Sequence, residues 1–253
     1  MSSIAVSAIV AATVFAGGIV GLLAHRILPQ RHLTKETQDV VRLGTGMISV
    51  VASLVLGLLI ATAKSSYDAM DHAIRSYAAE LVLLDETLRD YGQAAAPARD
   101  RLRNYTALVL EDNWPGKGER VRLGDVRAGE MLEHVREALR AMMPVDEGQK
   151  WLQDQALQIH TSLLRQRWLL IEQAGPSVRP IVLVILVSWV VFIFASFGLN
   201  APRNGTVLAA FLVCSFAIGG AVFLILEMDR PFQGVLRISS RPMVSALEHM
   251  SAW

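Results

Sequence analysis

The stretch ISVVASLVLGLLIATA, residues 48–63, is almost entirely apolar, and the helix signal does not end with it. It runs on through KSSYDAMDHAIRSYAAELVLLDETLRDY, residues 64–91, without a Pro or Gly. In that continuation the apolar positions are Tyr67, Met70, Ile74, Tyr77, Leu81, Leu84, Leu88 and Tyr91. Their spacing alternates three, four, three, four, which is a heptad a/d seam. At about 1.5 Å per residue the helix from Ile48 to Tyr91 spans roughly 65 Å, and a bilayer core takes only about 30 Å. One rod is therefore expected to link a membrane bundle to a soluble helical bundle. With three further helices available to cover it, the seam reads as intrachain core before oligomer zipper.

The chain of 253 residues is 53% hydrophobic, high for a soluble protein of this length. Four apolar windows of transmembrane length account for it: Ile4–Ala24, Leu43–Ala63, Val178–Leu199 and Thr206–Met228. None holds a charged residue near its centre. The first has no Lys or Arg before it and is too long for a signal-peptide core, so it reads as a membrane helix. The expected fold is an all-α membrane protein. Four transmembrane helices form two hairpins around an inserted soluble helical bundle, and the second helix extends continuously out of the membrane. The expected boundaries are residues 1–63 for the first hairpin (helices about 4–24 and 43–63), 64–177 for the soluble domain, 178–228 for the second hairpin and 229–253 for a short C-terminal tail.

Net charge is +1, and the middle domain mixes both signs along its helices. That pattern marks solvated faces and argues against a nucleic-acid partner. The single cysteine, Cys214, permits no intramolecular disulfide. Four crossings place both termini and the middle domain on one side. The short loops carry Arg26, Arg31, Lys35, Arg42 and Arg203. The other side carries Lys64, Arg75, Arg165, Arg167, Arg179, Arg230, Arg237 and Arg241 near the membrane. Eight cations against five favour a cytoplasmic domain, although the flanks of the first helix alone argue the reverse.

Local signals punctuate the chain. Pro29 ends the first segment, and Thr34 can cap a second helix starting near Lys35. Gly92 stops that helix, and Pro97 opens the next, which runs to about Asn113. Trp114-Pro115-Gly116 breaks it. Asp125 caps a helix ended by Pro144, and another runs from about Asp146 to Ala174. Gly175-Pro176 is a joint, Pro180 opens the third membrane segment, and residues 200–205 form a tight turn. A small amphipathic helix is expected from Pro242. Gly17 with Gly21, Ser215 with Gly219, and Ala217 with Ala221 are small-xxx-small pairs that let helices approach closely in lipid.

Catalytic chemistry has no support. The serines stand in no nucleophile context, and there is no glycine-rich phosphate loop. Asp68 and His72 make at most a two-ligand pair, so no metal site is expected, and no cofactor. The membrane helices lack the carboxylate or cation that a proton relay or ion-coupled carrier keeps. They do carry a small, weakly polar face on the second helix: Gly46, Ser49, Ser53, Gly57 and Ala61. Such a face can line a pore, where small residues leave a lumen and hydroxyls touch a hydrated ion. It serves equally as a packing surface. Lys64 reads as a snorkelling anchor.

Leu56-Gly57-Leu58 with Ala63-Lys64-Ser65-Ser66-Tyr67-Asp68, and later Leu226-Glu227-Met228-Asp229-Arg230-Pro231-Phe232-Gln233-Gly234, resemble the bestrophin-like domain family of bacterial integral membrane proteins. The hairpin–domain–hairpin plan extends the resemblance over nearly the whole chain. Through that family Ser66-Tyr67-Asp68 is similar to a Ser-Tyr-Asp step just past the pore helix of bestrophin channels. Pro231-Phe232-Gln233-Gly234 is similar to their Pro-Phe-Gly turn with one residue inserted. The resemblance implies a multi-pass protein of the bacterial inner (plasma) membrane. It further implies a homo-oligomeric, anion-permeable ion channel, a pentamer by analogy, with the second helix lining the pore at Ser49, Ser53, Gly57 and Ala61.

Bestrophin pores narrow at bulky apolar residues one turn apart. Aligned on Ser66-Tyr67-Asp68, that neck falls at Ser53, Gly57 and Ala61. Aligned on Leu56-Gly57, it falls at Val50, Leu54 and Leu58, a candidate hydrophobic gate. Both registers stay open. The acidic calcium-binding run of animal bestrophins is absent, since Glu227 and Asp229 supply too few oxygens. Two other functions fit the plan. One is a membrane-anchored scaffold or sensor whose cytosolic helices bind a protein partner that the sequence does not identify. The other is a stator-like proton-channel subunit, with its key acid on a partner chain.

Overall fold

The computed structural model describes residues 2–24, 35–115, 121–122, 124–175 and 177–252. Arg26, Pro29, Arg31, Thr34, Gly116 and Pro176, each given a role above, lie outside them. Among the described residues the chain is helical and has no strand. The helices are α1 (Ser3–Ala24), α2 (Lys35–Tyr91), α3 (Ala96–Asn113), α4 (Val126–Ala141), α5 (Glu147–Gln173), α6 (Pro180–Asn200), α7 (Gly205–Met228) and α8 (Arg241–Ser251). Four of them, α1, α2, α6 and α7, are long and apolar enough to cross a membrane. The molecule is thus an all-α membrane protein. Its second helix runs unbroken for 57 residues, far beyond the length of a bilayer crossing.

Helix ends follow local chemistry. Asp125 caps α4 by accepting from the Arg127 amide at 3.0 Å. Asp146 caps α5 through the Gln149 amide at 2.7 Å, and Asn204 caps α7 through the Val207 amide at 2.9 Å. Pro97 and Pro180 stand in the first turns of α3 and α6, where a missing N–H costs nothing. Gly92 ends α2 at φ 102°, a left-handed conformation that side chains rarely adopt. A short 3-10 turn, Gln93–Ala95, leads on into α3.

The chain divides into two compact units, Met1–Ser66 with Pro176–Asp229, and Tyr67–Gly175 with Arg230–Trp253. In the first, α1 and α6 run in the same direction, with Gly17 facing Val191 and Gly21 facing Ala195. The approach is close: a Cβ at Gly21 would lie 2.0 Å from the Ala195 carbonyl oxygen. A Cβ at Gly198 would lie 2.2 Å from the Gly18 carbonyl oxygen. On the α7 side Gly219 faces Ala11 and Ser7, and Phe211 covers Gly18. The Ser215–Gly219 pair is thus buried at a helix contact, whereas Ala217 is exposed. Small residues bring these backbones together because lipid supplies no hydrophobic drive for helix association. α2 runs opposite to α6. Thr45 and Ser196 share a buried hydroxyl hydrogen bond of 2.8 Å, Ala52 packs with Leu186 and Ile193, and Ala63 with Val178.

The second unit is built on the heptad seam. Met70, Ile74, Tyr77, Leu81, Leu84, Leu88 and Tyr91 are all buried, and Tyr67 packs at the margin of the same core. Leu102, Tyr105, Leu132, Val135, Leu139, Ala156, Ile159 and Leu163 cover them from α3, α4 and α5. Each large side chain so buried stabilises by about 1.5–3 kcal/mol. Residues after Asp229 belong to this core too. Phe232, Ile238, Met243, Ala246 and Met250 are buried in it, and Trp114 donates from Nε1 to the Ile238 carbonyl at 2.9 Å. Polar pins set the register. Arg99 donates twice to Asp85, at 2.8 and 3.0 Å, and the side chain of Asp85 is only 3% exposed. Tyr77 and Tyr105 share a buried hydroxyl contact, and burial pushes both phenols up. Arg167 holds the Asp125 carbonyl at 2.7 Å.

Candidate functional site

Within the first unit, α2 is covered on one side only. Thr45, Ala52 and Ala63 are buried, while Ile48, Val55, Leu56 and Leu59 pack half-buried beside Leu186, Trp189, Ile193 and Ile225. The opposite side meets nothing among the described residues. Leu54 is 72% exposed, and Gly46, Met47, Val50, Ser53, Gly57, Leu58 and Ala61 are exposed with it. Positions three and four apart share a helix face, so Val50, Leu54 and Leu58 stand side by side with Ser53, Gly57 and Ala61. Both candidate neck registers therefore fall on the same uncovered face. Ser49 is half-buried at its edge.

The glycines separate packing from vacancy. A Cβ at Gly46 or Gly57 would meet nothing within 4 Å, unlike one at Gly17, Gly18, Gly21, Gly198 or Gly219. The small face of α2 is therefore unexplained by contacts among the described residues. Its hydroxyls are turned onto the backbone: Ser49 Oγ donates to the Thr45 carbonyl and Ser53 Oγ to the Ser49 carbonyl, each at 2.8 Å. No titratable group stands on α2 between Arg42 and Lys64, both of which are exposed. The face can therefore offer apolar surface and oxygen lone pairs, with fixed charge only at its two ends.

The two motif blocks adjoin one small apolar cluster. Ala63, just before Lys64-Ser65-Ser66, packs with Val178, Ile225 and Met228, which bracket Glu227. Glu227 itself is 3% exposed. Asp229 Oδ1 accepts from the Ser177 amide at 2.7 Å, the Ser177 hydroxyl at 2.6 Å and the Val178 amide at 3.0 Å. It thereby ties the end of α7 to the approach of α6. Ser66 and Asp68 are half-buried on α2. The Tyr67 hydroxyl is pushed up by burial, then by Asp71 and Asp68. Arg230 is exposed, and Pro231 accepts at its carbonyl from the Ile238 amide at 2.8 Å, closing a loop. Phe232 is buried edge-on to Trp114, with ring centroids 5.6 Å apart. Gly234 turns that loop at φ 85°.

Sequence reasoning missed the partners of these groups. In the sequence Trp114 marks only a helix break, and nothing local announces its bond to Ile238. Thr45 carries a weak signal, a hydroxyl in an apolar helix, which in lipid often marks a helix contact. Among the described residues no group of three His, Cys, Asp or Glu side chains could hold a metal ion.

The model of the Bestrophin-like domain matches residues 10–243. Three mutant crystal structures of a bacterial bestrophin homologue from Klebsiella pneumoniae share the fold. The first superposes with a TM-score of 0.72 at 12% identity, covering 100% of this chain and 98% of the homologue. The others give 0.65 at 14% identity and 0.63 at 13%, each covering 96% of this chain and 97% of the homologue. No curated protein sequence matches. With its family model spanning all but the extremities, the chain belongs to the Bestrophin-like domain family.

Proposed function

We propose that the chain assembles with copies of itself, as a pentamer by family analogy, into an anion-permeable channel lined by α2. The observation that carries this reading is the uncovered face of α2, whose glycines at 46 and 57 have no packing reason among the described residues. Copies of that face around an axis enclose a lumen lined by Ser53, Gly57 and Ala61, with Ser49 at the margin. Val50, Leu54 and Leu58 form the apolar constriction, which gates by excluding water. Family membership supports the same reading, as does the absence of any charge on that face between its ends. In this arrangement residues 64–177 form a soluble domain in the cytoplasm, with both termini, and the protein sits in the bacterial inner membrane.

Purified protein in planar bilayers tests the reading. Leu54→Ala and Leu58→Ala should raise conductance, and Ser53→Leu should lower it. Silence from a monodisperse oligomer across a wide range of ions would sink the proposal. A membrane-anchored scaffold is the second reading, favoured by exposed Met143, Val145 and Trp151 around the start of α5. A particle without an open axis, together with conductance at background, would leave that reading standing.

A further inference from the structure

A groove of about 320 Å³ lies between the end of α1 and the start of α7. Ile19, Leu22, Leu23 and Leu208 form its apolar walls, and Arg203 and Gly205 form its rim. Its depth in a membrane follows from helix length. The 22 residues of α1 span roughly 33 Å, about one hydrocarbon core, so the end near Leu23 lies where acyl chains give way to headgroups. Arg203 stands in the turn between α6 and α7, exposed. Among the described residues no acidic side chain pairs with it.

We propose that this groove binds an anionic phospholipid, with the phosphate on the Arg203 guanidinium and the upper acyl chain along Ile19, Leu22 and Leu208. A guanidinium offers a fork of donors that matches phosphate geometry. The Gly205 backbone adds no side chain at the rim, where a Cβ would meet nothing within 4 Å. At 320 Å³ the groove is at the small end of ligand sites, which suits a headgroup and the first part of one chain. Arg26, Arg31, Lys35 and Arg42 lie on the same side of the membrane, with Glu36 and Asp39 offsetting only part of their charge, so a control variant there separates general attraction from the groove. The proposal holds whether or not the protein conducts ions.

The test uses the full chain in mild detergent, with retained lipid read by native mass spectrometry and stability by thermal unfolding. Phosphatidylglycerol should stay bound and raise the melting temperature, and inorganic phosphate at equal concentration should do neither. Arg203→Gln should weaken phosphatidylglycerol binding on the order of five- to tenfold. Leu208→Trp, which fills the groove and leaves the cation in place, should weaken it comparably. Arg42→Gln removes the same charge from an exposed position about two turns into α2 and should leave binding unchanged. Undiminished binding in Arg203→Gln or in Leu208→Trp would overturn the proposal. So would an equal loss in Arg42→Gln, or competition by inorganic phosphate.

Discussion

Leu54 and Leu84 lie on one unbroken helix and meet opposite surroundings. Leu54 is 72% exposed, whereas Leu84 is fully covered by the helices of its own chain. The glycines repeat the contrast: Gly21 is jammed against the backbone of α6, and Gly57 faces open space. Periodicity treats these positions alike. The difference shows that half of α2 is finished by intrachain packing and that the other half has one finished side. A surface of that kind is completed by lipid or by other copies, and the choice between them is the functional question.

Gly21→Ala should have the largest effect. The new Cβ would fall 2.0 Å from a backbone oxygen, so α1 must part from α6, at a cost of about 3 kcal/mol or more. Loss of monodisperse protein on extraction would register it. Leu84→Ala should cost about 3 kcal/mol by leaving a cavity in the seam, measured by chemical denaturation. Asp85→Asn should cost about 1–2 kcal/mol, since Arg99 loses its buried partner but is 21% exposed and partly rehydrated.

Acid should act next, through His160. Its ring is 1% exposed, with Nε2 at 2.8 Å from the Leu132 carbonyl. Burial holds the imidazole below its ordinary range, and nearby Arg136 and Arg140 disfavour its charge, while the Leu132 contact and Glu133 favour it. The folded chain thus binds this proton less readily than the unfolded one. Its contribution is complete above about pH 6.5 and is lost as pH falls below that value. Melting temperature should drop on acidification, and His160→Gln should flatten that slope.

The smallest effects belong to the uncovered face. Gly57→Ala should leave the fold unchanged or stabilise it by up to about 1 kcal/mol through helix propensity. Leu54→Ala should cost less than about 0.5 kcal/mol. A large loss of stability in either, seen in the isolated chain, would break the contrast with Gly21 and Leu84.

Helix limits were legible because their causes are local. Asp125, Asp146, Asn204, Pro97, Pro180 and Gly92 each act within a turn of their own position. The seam was legible because a period of three and four needs only one helix to display it. What was illegible is which small face is jammed. Gly17 with Gly21 and Ser53 with Gly57 have the same spacing, and only the far-off Val191 and Ala195 distinguish them. The same holds for the bond of Thr45 to Ser196, the edge-on contact of Trp114 with Phe232, and the grip of Asp229 on Ser177. Each joins segments far apart in the chain, so pattern alone leaves the partner unnamed. The residues of the candidate pore were visible as a stripe, and their meaning depends on what surrounds the helix.

The serine hydroxyls of α2 carry one more consequence. The hydrogens of Ser49 and Ser53 are committed to backbone carbonyls one turn back. What these groups present outward is therefore electron-rich. A permeating anion would find acceptors where it needs donors. It would have to keep its own water or draw a hydroxyl away from the helix, at about 1 kcal/mol each. A cation would meet no such debt. Selectivity for anions in such a conduit must therefore originate outside these hydroxyls, and reversal potentials should stay unchanged when Ser53 is replaced by Ala.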